Sequence, residues 1–141
     1  MKVCGVELKG NDAVICLLSL DNGLFSIPEC RSRKLDIRDA NDAEQLQHFQ
    51  FTFNKLMTDY QVDKVVIRSR PTKGKFAGGF AGFKLEAAIQ LIESLDVELI
   101  SNTEVKELLK NNELTIDFKD TGLKKFQENA FNTAFARLSK K

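Results

Sequence analysis

The chain has 141 residues, of which 43% are hydrophobic and 29% charged, with 11 Phe, one Tyr and no Trp. This is the composition of one globular domain with a real core, and it supplies aromatics for packing more than for a binding surface. Lys and Arg number 21 against 20 Asp and Glu, a formal net charge of +1, which excludes a protein held on nucleic acid or anionic lipid by bulk charge alone.

Residues 2–9 and 12–20 are apolar, β-branched runs separated by Gly10-Asn11, a hairpin signal. Asp21-Asn22-Gly23 marks a second turn, followed by a third extended piece that runs through Pro28 to about Ile37. The opening unit is therefore expected to be a three-stranded antiparallel meander. Asp42 is placed to cap a helix with Gln45 as its capping-box partner, and Leu46, Phe49, Phe53, Leu56, Met57 and Tyr60 recur at helical spacing. Residues 62–67 form a short apolar run typical of a buried strand, which Pro71 stops.

Residues 72–82 are rich in Gly and Lys, and Phe80, Phe83, Ala87, Ala88, Leu91, Ile92 and Leu95 follow as the expected apolar face of a second helix. Residues 97–100 read as a strand. Asn102 or Thr103 then caps a small helix carrying Val105, Leu108 and Leu109, and residues 111–121 are polar and mixed. A last helix carries Leu123, Phe126, Ala130, Phe131, Ala134 and Leu138. The order β-β-β-α-β-α-β-α-α implies an α/β domain spanning residues 1–141, with one mixed sheet and helices on its faces.

Several chemistries are poorly provided for. No apolar run approaches the roughly 18 residues of a membrane span, and the N-terminus reads directly as a strand and not as a secretory signal. Cys4, Cys16 and Cys30 are odd in number, widely spaced and embedded in apolar stretches, as expected for small buried hydrophobes in a reducing cytoplasm. His48 is the one histidine, it falls in a helical pattern, and no CxxC pair is present, so neither a zinc site nor a Cys-His nucleophile is expected.

The order of elements, with Gly5-Val6-Glu7 in the first strand, residues 62–67 before a loop and a long helix, Ser101 to Lys106 at a strand-to-helix step, and Asn129 to Ala134 in the last helix, resembles the ribonuclease H-like fold. In detail it resembles the RuvC and YqgF branch of Holliday-junction resolvases, and it is similar to a small bacterial family with this fold. The resemblance implies carboxylates on the first strand, the fourth strand and the last helix holding two magnesium ions. Against that pattern only Glu7 is acidic. The fourth-strand position falls near Arg68, with Ser69 beside it, and the last-helix positions are Asn129 and Asn132. A guanidinium repels a dication, and Asn brings no negative charge. Glu128 adjoins Asn129 but points about 100° away around the helix. Glu7 is expected to pair with Arg68 across the sheet, with a residual metal ligand as its other use. Asn129 and Asn132 are expected to be solvated.

The small net charge hides a segregated one. Lys64, Arg68, Arg70, Lys73, Lys75 and Lys84 fall in a stretch without acids, whereas Glu86, Glu93, Asp96, Glu98, Glu104 and Glu107 follow with only Lys106 between them. Gly74, Gly78, Gly79 and Gly82 open the backbone of the basic loop just before a helix start, a setting suited to phosphate. Neither a Walker loop nor GxGxxG is present. Phe76 precedes the helical run and is a candidate for stacking on a base or a partner, whereas Phe80 and Phe83 fit the core stripe.

Three functions compete on this reading. The leading one is a non-catalytic or catalytically weakened RNase H-like domain that contacts nucleic acid through Arg68, Arg70, Lys73, Lys75 and Lys84. The second is a Mg2+- or Mn2+-dependent nuclease with a rearranged site on Glu7 and Glu128. The third is a protein-interaction module, in one form a homodimer joining the basic stretch of one copy to the acidic stretch of another.

Overall fold

The computed structural model describes residues 1–75, 77–112 and 116–140. Its elements in chain order are β1 (Lys2–Lys9), β2 (Asp12–Asp21), β3 (Leu24–Ser26), β4 (Lys34–Asp36), α1 (Ala43–Asp59), β5 (Lys64–Arg68), α2 (Phe80–Gln90), β6 (Val97–Ile100), α3 (Asn102–Lys110) and α4 (Glu128–Leu138), with short 3-10 turns at Phe118–Asp120 and Lys125–Gln127. The strands form one six-stranded mixed sheet in the order β3-β2-β1-β5-β6, with β4 also on β2. β1 and β2 are antiparallel, from Lys2 opposite Ser19 to Lys9 opposite Asp12. β5 lies parallel to β1, and β6 parallel to β5. The carboxyl ends of β1, β5 and β6 therefore meet at one edge of the sheet.

The meander is antiparallel as expected, with its third strand broken in two. β3 pairs with the last residues of β2 and β4 with its first, while the chain between them leaves the ladder. Pro28 has no N–H to give to the ladder, and the amide of Ile15 bonds to the Arg33 carbonyl (2.9 Å) in place of a strand partner. The turn into β3 is made by Asn22 and Gly23, both at positive φ (53° and 80°), as a tight hairpin of this twist requires.

Side chains alternate across β1 and divide the core. Cys4, Val6 and Leu8 face α1 and α2, where Phe53, Leu56, Leu85 and Ile89 complete the first hydrophobic cluster. Val3 faces the other way, onto Val105, Ala130, Phe131 and Ala134 of α3 and α4. Gly5 and Glu7 share that second face. Gly5 is where α4 crosses the sheet: a Cβ there would lie 2.1 Å from the Ala130 carbonyl oxygen and 2.8 Å from the Ala134 nitrogen. Only glycine permits that approach.

Capping of α1 is carried by Asp42, whose Oδ1 accepts from the Glu44 amide at 3.0 Å. Gln45 departs from the expected capping box: its Oε1 accepts from the Arg38 and Asp39 amides, and its Nε2 donates to Asp42. The buried side of α2 is rotated from the one expected. Ala81, Leu85 and Ile89 are buried, whereas Phe80 and Leu91 are 63% and 73% exposed. The helix is apolar nearly all round, so periodicity does not single out its core face.

In α3 the cap is Ser101, not Asn102 or Thr103; its Oγ accepts from the Glu104 amide at 3.1 Å. Ser101→Ala is therefore expected to cost about 1 kcal/mol and Thr103→Ala little, which urea denaturation of both variants will check. α4 begins at Glu128, and Phe126, expected in its core stripe, is largely exposed beneath Lys34. All three cysteines are free; Cys4 and Cys16 are buried, and burial pushes the Cys16 thiol up to about 12. His48 is exposed on α1.

Candidate functional site

The face of β1 that carries Gly5 brings Glu7 under the first turn of α4. Glu7 is only 9% exposed, and its Oε2 accepts from Asn129 Nδ2 at 2.7 Å. Asn129 is exposed, as expected, and its side-chain amide also reaches down to hold the buried carboxylate. Arg68 ends β5 on the same side. Its Nε donates to Thr133 Oγ1 (3.0 Å), one terminal nitrogen to Asn102 Oδ1 (3.1 Å) and the other to the Asn129 carbonyl (3.3 Å). Thr133, fully buried, also donates to the Asn129 carbonyl at 2.7 Å.

The expected direct pair of Glu7 with Arg68 is therefore replaced. Among the described residues the carboxylate is bonded by an amide, and the guanidinium ties β5 to the starts of α3 and α4. Burial lowers the Arg68 pKa from its ordinary value and the charge of Glu7 raises it; a guanidinium stays protonated in either case. Asn102 and Thr133 were not picked out by the sequence reading. Spacing offers a signal only for Thr133, one helical turn after Asn129. Asn132 is half-buried and, among the described contacts, takes no part in this network. Glu128 is not brought into it either, since its Oε1 accepts from Lys125 Nζ at 2.7 Å.

These donors do not fit the pair of magnesium ions that the fold resemblance implies. One carboxylate, one carboxamide and a fixed guanidinium supply too little negative charge, and the guanidinium occupies the place where a second acid is required. Among the described residues no group of three or more His, Cys, Asp or Glu is close enough to share a metal ion.

The basic loop leaves β5 at Ser69, anchored by its amide to the Ile100 carbonyl (2.9 Å), and closes where the Gly78 amide meets the Pro71 carbonyl (2.9 Å). Lys73 and Lys75 are exposed on it and Arg70 turns toward a cleft. Phe76 lies outside the described residues. Lys84 belongs elsewhere: its Nζ donates to the Ala40 carbonyl (2.9 Å) and Asn41 Oδ1 (3.1 Å) and lies over the Phe80 ring, bracing the entry to α1. Lys64 is likewise engaged, with Asp96 and Glu98.

The cleft, of about 340 Å3, opens between the end of β1 and the start of α2 and is lined by Glu7, Arg70, Gly78, Gly82, Phe83 and Glu86, among others. Burial raises the Glu86 carboxyl above its ordinary pKa. The acidic stretch beyond is partly used inside the chain. Glu98 meets Arg137 at 2.6 Å as well as Lys64, and Lys140 reaches Glu98 and Glu104.

The strand order and the helices on both faces give an RNase H-like fold of the RuvC type. Thermus thermophilus RuvC has a TM-score of 0.75 with this chain at 9% identity, covering 99% of this chain and 94% of that one. The same protein in complex with a Holliday junction substrate gives 0.72 at 10%, covering 99% and 93%. The Fowlpox virus resolvase bound to Holliday junction DNA gives 0.53 at 13%, covering 98% and 97%. At such identities the likeness is one of fold. By sequence the chain belongs to the family described as "Protein of unknown function (DUF3010)", whose model matches residues 1–137. Comparison with curated proteins returns no match. No helix among the described residues is long and apolar enough to cross a membrane.

Proposed function

We propose that this chain is an RNase H-like domain that contacts nucleic acid without the metal-dependent cleavage of its structural relatives. The observation that carries this reading is Arg68, fixed by three partners at the strand end where a second carboxylate would be needed, beside a loop that presents Arg70, Lys73 and Lys75. The resolvase structures that hold Holliday junction DNA on the same fold support nucleic acid as the partner. Arg68 lies within the site and Lys84 packs against the entry to α1, whereas Arg70, Lys73 and Lys75 are carried by the loop itself and are the residues assigned to the contact. A rearranged nuclease site on Glu7 and Glu128 is disfavoured because Lys125 holds Glu128.

Replacing Lys73 and Lys75 by Glu is expected to abolish binding of a labelled four-way junction or single strand at moderate salt. The single replacements Lys73→Ala and Lys75→Ala each reduce the log–log salt slope by about 1. Fluorescence anisotropy against salt measures both. Unchanged binding in the double charge reversal would remove the basic loop from the interface.

A further inference from the structure

The cleft beside Glu7 also carries Glu86, Lys9 and Phe83, which the Arg68 network does not use. Its charged lining is mixed. Glu7 and Glu86 contribute acceptors, Arg70 and Lys9 contribute donors, and the Phe83 ring lies at its wall. At about 340 Å3 it lies at the small end of ligand-sized pockets. Gly78, Gly79 and Gly82 are among its lining residues and bring no side chain into it. A Cβ at Gly78 would come within 2.8 Å of Arg70 Cβ and 3.2 Å of the tip of Phe83, so a side chain there would crowd this wall. The first turn of α2 carries no acid, and its N-cap, Gly79, offers no side-chain hydrogen bond.

The geometry points to this cleft as a binding site for a guanine base, presented by an unpaired nucleotide whose phosphates lie along Lys73 and Lys75. The inference rests on the nucleic-acid reading above and names what that site recognises. Guanine carries two adjacent donors, N1–H and the N2 amino group, that match a carboxylate such as that of Glu86, and two acceptors, O6 and N7, that match a guanidinium. Adenine turns a bare acceptor, N1, toward the carboxylate and has one amino donor, so it pairs poorly with the same set. Phe83 supplies flat apolar contact to the ring. A cationic peptide side chain would satisfy the acids but would meet Arg70 and Lys9 as like charges.

The test is a chemical-shift titration of the intact chain with guanosine monophosphate, adenosine monophosphate and N-acetyl-arginine amide, run beside a guanine-containing and a guanine-free single strand. The expected result is saturable shifts at Gly78, Gly79, Gly82 and Glu86 with guanosine monophosphate, at an affinity at least about tenfold above that for adenosine monophosphate. Glu86→Gln should lose that preference while keeping the fold's spectrum, and Lys73→Glu should weaken the strands more than the mononucleotide. Equal affinity for the two nucleotides, shifts confined to the basic loop, or preferential binding of the arginine amide would overturn the inference. Strand binding that persists with no preference for guanine overturns it alone and leaves the nucleic-acid reading intact. Guanosine monophosphate in the cleft with no strand binding at any salt supports the cleft as a guanine site and overturns the nucleic-acid reading.

Discussion

Gly5→Ala is expected to destabilise the protein by about 3 kcal/mol, at the upper end of what overpacking normally costs, and to lower Tm by roughly 10 °C. The reason is local. The added methyl would sit 2.1 Å from the Ala130 carbonyl oxygen, 2.8 Å from the Ala134 nitrogen and 3.0 Å from Ala134 Cβ. Backbone atoms of a packed helix cannot swing aside as a flexible side chain does. The helix already presents alanine at both positions, so no smaller residue short of glycine can absorb the clash. α4 would have to lift from β1, taking Asn129 away from Glu7 and Thr133 away from Arg68. The same substitution thus strains the fold and opens the candidate site. Thermal denaturation followed by circular dichroism measures the effect, and a Tm within about 2 °C of the unsubstituted protein would contradict this packing of α4 on β1.

The second large effect is at Arg68. Arg68→Met keeps the apolar stem but leaves Thr133 Oγ1 and Asn102 Oδ1 without the donor that now joins them, while the Asn129 carbonyl keeps only its bond from Thr133. It also removes the positive charge on which the Glu7 carboxylate acts. A half-buried, hydrogen-bonded charge lost in this way costs about 2–3 kcal/mol. Arg68→Lys should recover only part of it, because an ammonium is a point charge and cannot span three partners set out by a planar fork. Urea denaturation of both variants checks the order, Met below Lys below the unsubstituted chain. Equal stability of all three would mean that the guanidinium is not what ties β5 to α3 and α4.

Much of the fold was legible because periodicity and punctuation agree in the sequence. Gly10-Asn11 and Asn22-Gly23 end the first strands, Phe49, Phe53, Leu56 and Met57 share one side of α1, and Pro71 stops an extended segment. The split of the third strand was missed because Pro28 was read as part of a strand that it in fact interrupts. The face of α2 was misread for a different reason. Phe80, Ala81, Phe83, Leu85, Ala87, Ala88, Ile89 and Leu91 surround that helix with apolar groups, and only the packed sheet decides which side is covered.

The candidate site was legible in its departures and not in its bonds. That Arg68 and Asn129 stand where acids are expected follows from the resemblance and from reading the residues. That Asn129 reaches across 122 positions to hold Glu7, or that Lys84 reaches back to Ala40, depends on which elements the topology brings together. No local pattern encodes such pairs. The acidic stretch teaches the same lesson: Glu98 reads as surface charge and is in fact shared by Lys64, Arg137 and Lys140.

The central claim is that the loop of Arg70, Lys73 and Lys75 binds nucleic acid beside a site that no longer holds catalytic metal. Its most direct test is fluorescence anisotropy of the full chain with a labelled four-way junction in EDTA, titrated from about 50 to 200 mM salt. A parallel incubation with Mg2+ or Mn2+ is examined for cleavage products. With Lys73 and Lys75 on phosphates the predicted affinity falls roughly 12-fold over that range, binding persists in EDTA, and no cleavage products form with either ion. A flat salt response, binding that requires the metal, or cleavage that Glu7→Gln abolishes would contradict it.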